Sequence, residues 1–122
     1  MKFSAEREDL LSALQAVIGV VERRHTMPIL ANLLLAARAG KLAITATDLE
    51  VELVAQANIV TDAEGQMTLP GRKLLDICRS LPEKTSLSFN QDGEKVTVRG
   101  GRSRFLLATL PAGDFPVIDE LA

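Results

Sequence analysis

An internal repeat constrains the fold of this 122-residue chain more than any other feature. Each half follows the same order of patterns: a short strand, a helix, and then three strands separated by turns. The corresponding positions are Leu10-Leu11 and Leu74-Leu75, Gly40 and Gly93, and residues 51–55 and 104–108. Two related units sharing one core are therefore predicted. The fold class is α+β, in which two β-α-β-β-β units give two four-stranded antiparallel sheets packed on two helices.

The individual elements follow from the spacing of apolar residues. Leucines, valines and isoleucines recur at helical spacing over residues 10–21 and again over 72–81, and each series predicts a helix. Alternating or continuous apolar runs predict strands at 2–4, 29–37, 42–46, 50–53, 67–69, 87–89, 96–98 and 102–110. Pro111 and Pro116 cannot donate to a strand ladder. The domain is therefore predicted over residues 1–110, and residues 111–122 are predicted to be a linker.

Charge is distributed unevenly along the chain. The net charge is −2, but residues 1–69 hold six Lys or Arg against nine Asp or Glu, whereas residues 70–110 hold eight against four. This segregation favours a basic face on an acidic body, although a chance excess on solvated strands explains the charges alone equally well.

The residue types needed for catalysis are scarce. One histidine, His25, and one cysteine, Cys78, are too few for a usual zinc site, and Cys78 falls on an apolar helix position. Glu50 and Glu52 resemble an acid/base pair but suit the wet face of a strand better. We therefore expect no catalytic residue, no metal and no cofactor. With neither Trp nor Tyr there is also no evident platform for stacking bases.

The same composition indicates where the protein acts. No apolar run has the length of a membrane span, and the acidic N-terminus does not resemble a signal peptide. A lone cysteine in an apolar stretch is typical of a reduced thiol packed as a small hydrophobe. A soluble cytoplasmic protein without a membrane partner is expected.

Several short motifs are spread along the chain: Met1-Lys2-Phe3, Glu6-Arg7-Glu8 with Leu10-Leu11, Arg24 followed by Pro28-Ile29-Leu30-Ala31-Asn32-Leu33-Leu34, Thr45-Ala46-Thr47-Asp48-Leu49-Glu50, Leu69-Pro70-Gly71-Arg72-Lys73, Gly101-Arg102-Ser103-Arg104-Phe105, and Leu110-Pro111-Ala112 with Asp114-Phe115-Pro116. Taken together, these motifs resemble bacterial DNA sliding clamps, the beta subunits of DNA polymerase III. Each motif alone is weak, but they occur in the family's order over essentially the whole chain.

The resemblance implies the DNA-clamp fold and a function without catalysis. In the family, two identical chains of three such domains form a head-to-tail homodimeric ring. The ring encircles double-stranded DNA, is placed there by a clamp loader, and tethers the replicative polymerase for processive synthesis. This chain matches the first domain, and the family's partner-binding pocket lies in the domains that follow.

By the same resemblance, Arg24 and Arg72 match DNA-contacting positions. Arg72 also opens a helix, where free N–H groups and the helix dipole favour phosphate. The alternative for Arg72 is an ion pair with Asp76 on the same helix face. Contacts that allow sliding read no base, so binding is expected to be non-specific and sensitive to salt.

A second set of residues matches the family's subunit interface. Four cations, Lys73, Lys95, Arg102 and Arg104, match positions that pair with acids of the partner's third domain. Phe105 and Leu107 match the apolar patch buried there. The alternative for these two residues is the domain's own core, because they share one strand face.

Two other functions remain open from the sequence. A stand-alone protein-interaction module of clamp ancestry would use the edge formed by residues 102–107, and would be indifferent to Arg24 and Arg72. A small hydrolase would need His25 or Cys78.

Overall fold

One antiparallel sheet of eight strands, with two α-helices against it, forms the fold in the computed structural model, which describes residues 1–21 and 27–116. The strands are β1 (Lys2–Glu6), β2 (Asn32–Arg38), β3 (Lys41–Thr47), β4 (Glu52–Ala63), β5 (Gly65–Pro70), β6 (Ser86–Asp92), β7 (Lys95–Gly100) and β8 (Ser103–Ala108). The helices are α1 (Arg7–Val17) and α2 (Gly71–Ser80), with short 3-10 helices at Ile18–Val20, Pro28–Ala31 and Ala112–Asp114.

The strand order is β5-β2-β3-β4-β1-β6-β7-β8. The predicted α+β fold with two helices and two four-stranded halves is confirmed, but two details differ from the prediction. Pairing of β1 with β4 joins the halves into a continuous sheet. The first strand of each unit also pairs with strands of the other unit. β1, which begins the first unit, pairs with β6, and β5, which begins the second unit, pairs with β2. Neither half can therefore form without the other unit.

Both helices bury one apolar face against the sheet. α1 buries Leu10, Ala13, Leu14 and Val17, and α2 buries Leu74, Leu75, Ile77 and Cys78. These positions recur at the three- and four-residue spacing of one helix face. The first helix was predicted to reach residue 21, but α1 ends at Val17 and a 3-10 turn continues the chain, with the poor helix former Gly19 at its centre.

The centre of the core joins the two units directly. Phe3 on β1 and Phe89 on β6 are cross-strand partners, and their rings are stacked with centroids 4.6 Å apart and planes 10° from parallel. Both side chains are fully buried. Aromatic cross-strand pairs stabilise a sheet beyond the area that they bury.

Three strand boundaries differ from the sequence prediction. Pro28 begins a 3-10 turn, so β2 starts at Asn32 instead of residue 29. β4 continues to Ala63 and is twelve residues long. Arg102, predicted to begin the last strand, lies in the β7–β8 turn instead, because Gly101 takes a positive φ of 56° there.

Residues 109–116, which follow β8, are anchored on the sheet. Thr68 on β5 bridges to Leu110, and its hydroxyl donates to the Leu110 carbonyl over 2.7 Å. Phe115 is buried against Ile29 and Leu30 in a second small cluster. Residues 109–116 therefore pack against the sheet.

Candidate functional site

The two helices begin with opposite charge. The first turn of α1 carries Glu8 and Asp9, and the Lys84 backbone N–H donates to Glu8, which lowers the pKa of that carboxyl. The first turn of α2 has no acid and carries Arg72 and Lys73. Positive side chains at a helix N-terminus add to the positive end of its dipole. The start of α2 is therefore the part of the described helical layer that is best suited to a phosphate.

Arg72 is only partly free for an external ligand. Its Nη2 donates to the carbonyl oxygen of Val21 over 2.9 Å, and its Nε is buried without a hydrogen-bond partner. The ion pair with Asp76 is not formed, since the one salt bridge within residues 1–21 and 27–116 joins Arg7 and Glu8. Arg72 thus packs with its stem and inner nitrogen against the fold and has further N–H groups beyond the Val21 contact.

Arg24, the other residue predicted to contact DNA, lies outside the described residues, and so does His25. Val21 is the last described residue before them. The Arg72–Val21 hydrogen bond therefore links the beginning of α2 to the residue that leads into the segment with Arg24.

The edge of the sheet at β8 forms a second candidate site. β8 is the last strand in the order and pairs only with β7 within the described chain. Between β8 and α2 lies a groove of about 630 Å³, called here the edge groove. It is lined by Lys73, Asp76, Ile77, Ser80, Arg104, Phe105, Leu106 and Leu107.

The edge groove brings together four of the six residues predicted at the subunit interface: Lys73, Arg104, Phe105 and Leu107. The other two, Lys95 and Arg102, do not line it. Lys95 pairs with Ala108 at the far end of β8, and Arg102 lies in the β7–β8 turn. Sequence reasoning missed Ile77 and Asp76 as groove residues, although Ile77 lies one helical turn after Lys73.

Phe105 and Leu107 serve the core and the edge at once. Both side chains are half-buried and pack against the main core, and both also line the edge groove. Leu106, on the opposite face of β8, is 53% exposed. An apolar, unpaired strand edge of this kind invites another chain to pair with it.

Catalytic chemistry has no support among the described residues. Cys78 is fully buried, and burial raises the pKa of its thiol to about 11, so the nucleophilic thiolate is suppressed. No group of three or more His, Cys, Asp or Glu side chains able to hold a metal occurs in residues 1–21 and 27–116.

Within that same part of the chain, neither helix has the length and apolar character needed to cross a bilayer.

Residues 1–119 match the family model described as DNA polymerase III beta subunit, N-terminal domain. The chain is 51% identical over 121 residues to a beta sliding clamp of Pseudomonas putida, and 52% identical over 121 residues to that of Escherichia coli K12. Each match covers 98% of this chain and 33% of the relative.

The fold also matches the solved structures of sliding clamps closely. The crystal structure of a DNA polymerase sliding clamp from Caulobacter crescentus superposes with a TM-score of 0.96 at 44% identity, covering 99% of this chain and 33% of that one. The chain thus spans about one third of the length of these relatives.

Proposed function

Because this chain belongs to the family of the DNA polymerase III beta subunit N-terminal domain, we propose that it is the first domain of a ring-shaped sliding clamp. In this proposal two complete proteins close head to tail around duplex DNA in the cytoplasm. A clamp loader places the ring there, and the ring holds the replicative polymerase on its template. The domain itself catalyses nothing. Residues 1–110 form this domain, and 111–122 lead toward the next one.

The observation that carries the proposal is the edge groove at the end of a continuous sheet. An exposed strand edge, half-buried Phe105 and Leu107, and the cations Lys73 and Arg104 lie together there. A partner strand that adds to β8 would satisfy its free backbone groups and cover the apolar pair. Lys95 and Arg102 lie at the two ends of β8, where acids of the partner would reach them.

Arg24 and Arg72 are proposed to face the DNA. Support for Arg72 comes from its place in the acid-free first turn of α2 and from its N–H groups beyond the Val21 contact. A small number of cations on an acidic chain is compatible with sliding, because binding by phosphate contacts alone is weak and its affinity falls steeply with salt. Retention then comes from closure of the ring.

Ring closure is tested on the complete protein that carries this chain. We expect Phe105→Ala combined with Leu107→Ala to convert a dimer into a monomer in analytical ultracentrifugation. Val60→Ala, at a 65% exposed position on β4, is the control and leaves the dimer intact. A wild-type protein that is monomeric at all concentrations would contradict the ring and favour the stand-alone interaction module.

DNA encirclement is tested by topology. Once loaded, the ring should stay on a nicked circular plasmid and leave it when the plasmid is linearised. Replacing Arg24 or Arg72 with Ala should each lower the slope of log affinity against log salt by about 1 in direct binding measurements. Arg38→Ala, a surface arginine at the end of β2, should leave the slope unchanged. Equal retention on linear and circular DNA would refute encirclement.

A further inference from the structure

A polar groove on the outer face of the sheet is separate from both sites described above. It has a volume of about 290 Å³ and is lined by Lys2, Ser88, Asn90, Thr97 and Arg99. Every lining side chain carries a hydrogen-bond donor, and none is an acid. We name this set the outer polar groove.

The strand register explains why these residues meet. Lys2 on β1 is the partner of Asn90 on β6, and Asn90 is the partner of Thr97 on β7. Ser88 is the partner of Arg99 in the next row of the same face. Two cations therefore lie diagonally across three strands, with hydroxyl and amide groups between them. The opposite face of these strands holds the buried Phe3, Phe89 and Val98.

Arg99 has an unfavourable neighbour. Its cross-strand partner on β8 is Arg104, and both side chains are exposed. Like charges directly opposite each other destabilise a strand pair. Neither Arg99 nor Lys2 has an ion pair, since Arg7 and Glu8 form the one salt bridge of the described residues. An anion from outside the chain would relieve this repulsion.

The outer polar groove does not belong to the subunit edge. Its members Lys2, Ser88 and Asn90 lie on β1 and β6, which are three and two strands in from β8, and Thr97 and Arg99 lie on β7, next to β8. The edge groove is lined from the helix side by Lys73 and Ile77. The two grooves share no lining residue, although Arg99 of one lies opposite Arg104 of the other across the β7–β8 pair.

Charge and shape define the kind of anion. Acids border the outer polar groove, with Glu6 at the end of β1 and Asp92 and Glu94 at the β6–β7 hairpin. A long polyanion would have to cross these carboxylates, whereas a short segment fits between them. The described outer face has no aromatic side chain on which a base could stack, since Phe3, Phe89 and Phe115 are buried and Phe105 packs toward the core.

We propose that the outer polar groove binds a short acidic peptide segment of a partner protein. Two or three carboxylates of the segment accept hydrogen bonds from Lys2 and Arg99, and Ser88, Asn90 and Thr97 donate to its remaining oxygens. Arginine recognises a carboxylate through two parallel N–H donors, which gives Arg99 the larger share of the affinity. The proposal does not depend on ring closure.

The test uses the full chain and a fluorescein-labelled octapeptide, Gly-Asp-Glu-Gly-Asp-Glu-Gly-Ser, in anisotropy titrations at low salt. We expect Arg99→Gln to weaken binding about tenfold, as loss of a charge-assisted contact predicts, and Lys2→Gln to weaken it less. Arg38→Gln is the matched control, because it removes an exposed strand arginine far from the groove. The control should bind like the wild type, and a peptide with Asn and Gln in place of the acids should not bind.

The melting temperature shows whether Arg99 binds the peptide or only stabilises the fold. Without peptide, Arg99→Gln should raise the melting temperature, since it removes the repulsion from Arg104. The proposal is overturned if Arg99→Gln and Arg38→Gln weaken peptide binding equally, or if Arg99→Gln lowers the melting temperature. Tighter binding of an oligothymidylate of the same length, lost in Arg99→Gln, would also overturn it by assigning the groove to a nucleic acid backbone.

Discussion

Arg72, in the first turn of α2, donates from Nη2 to the carbonyl oxygen of Val21, over 2.9 Å. The first residue of α1 makes the counterpart of this contact, because Arg7 donates from Nε to the carbonyl oxygen of Cys78, in the last turn of α2, over 2.7 Å. Each unit thus uses an arginine at the start of its helix to bind the end of the other unit's helical segment. A carbonyl that has no partner inside its own helix is satisfied by a cation suited to that end of the dipole.

The two arginines should differ in their contribution to stability. We expect Arg7→Met to lower the free energy of unfolding by about 1.5–3 kcal/mol, the usual range for a hydrogen bond to a charged group. Arg72→Met should cost less, because it also removes a buried Nε that has no partner. Denaturant unfolding measures both, with Arg38→Met as the exposed control. A larger loss for Arg72→Met than for Arg7→Met would refute this order.

The thiol of Cys78 should make stability fall at alkaline pH. Burial raises its pKa from 9.0 to about 11, although the Arg7 guanidinium acts in the opposite direction. The unfolded chain therefore releases this proton at a lower pH than the folded chain. The stabilisation is complete below about pH 9 and is lost as the pH rises through 11.

The measurement is the free energy of unfolding between pH 8 and pH 10.5. The wild type should lose stability more steeply than Cys78→Ala, since lysines titrate in both proteins alike. Iodoacetamide at pH 8 should modify Cys78 in denaturant and leave the native protein almost unmodified. Equal slopes for the two proteins, or rapid native labelling, would contradict the buried thiol.

Local patterns in the sequence identified the helices and most of the core. The apolar spacing that predicted α1 and α2 is the spacing of their buried faces, and alternation predicted the burial of Leu87, Phe89, Val96 and Val98. The exchange of β1 and β5 between the half-sheets was not predicted. It depends on pairing between distant segments, as in the contact of Phe3 with Phe89, and neither segment encodes its partner locally.

β4 shows a different limit of sequence reasoning. Its inward positions include Ala55 and Ala57, which line a cleft beside Ala13 and Ala16 of α1. Small residues let the helix approach the sheet closely, but they give a weak apolar signal. The predicted strand therefore ends at Leu53, although β4 continues to Ala63. A place for Phe105 and Leu107 in a subunit interface is predicted only through resemblance to a family, because periodicity alone assigns both residues to the core.

Thr68 should hold residues 109–116 on the sheet. It is fully buried; its hydroxyl donates to the Leu110 carbonyl and accepts from Asn32 Nδ2 over 3.0 Å and from the Leu110 N–H over 3.2 Å. We expect Thr68→Val to lower the free energy of unfolding by about 1–3 kcal/mol, because it leaves the Asn32 amide without this acceptor.

The same substitution should loosen the anchored tail selectively. Amide hydrogen exchange at Leu110 and Phe115 should accelerate more than exchange in β6 and β7. Thr97→Val, on the outer face of β7 opposite Asn90, is the control and should leave exchange at Phe115 unchanged. Uniform acceleration across the sheet would show that Thr68 supports the whole fold and not only residues 109–116.

Leu49 holds a strained backbone conformation in the β3–β4 turn, with a φ of 79°. The turn is held around it by Asp48 Oδ1, which accepts the N–H groups of Glu50 over 2.9 Å and Val51 over 2.8 Å. The Leu49 side chain is 53% exposed, so its burial offsets little of the free-energy cost of this backbone conformation. A non-glycine residue in the left-handed region costs about 1–2 kcal/mol.

Leu49→Gly should therefore stabilise the domain, by about 0.5–1 kcal/mol after the greater flexibility of glycine in the unfolded chain is counted. Val51→Gly is the matched control: it is 45% exposed in the same turn, but its φ is not positive. Glycine at that position removes a side chain without relieving strain, so the free energy of unfolding should fall by roughly the same amount. If denaturant unfolding gives changes of opposite sign in the free energy of unfolding for the two substitutions, the strain resides at Leu49. A loss of stability in both would show that the leucine side chain contributes more in contacts than its backbone costs.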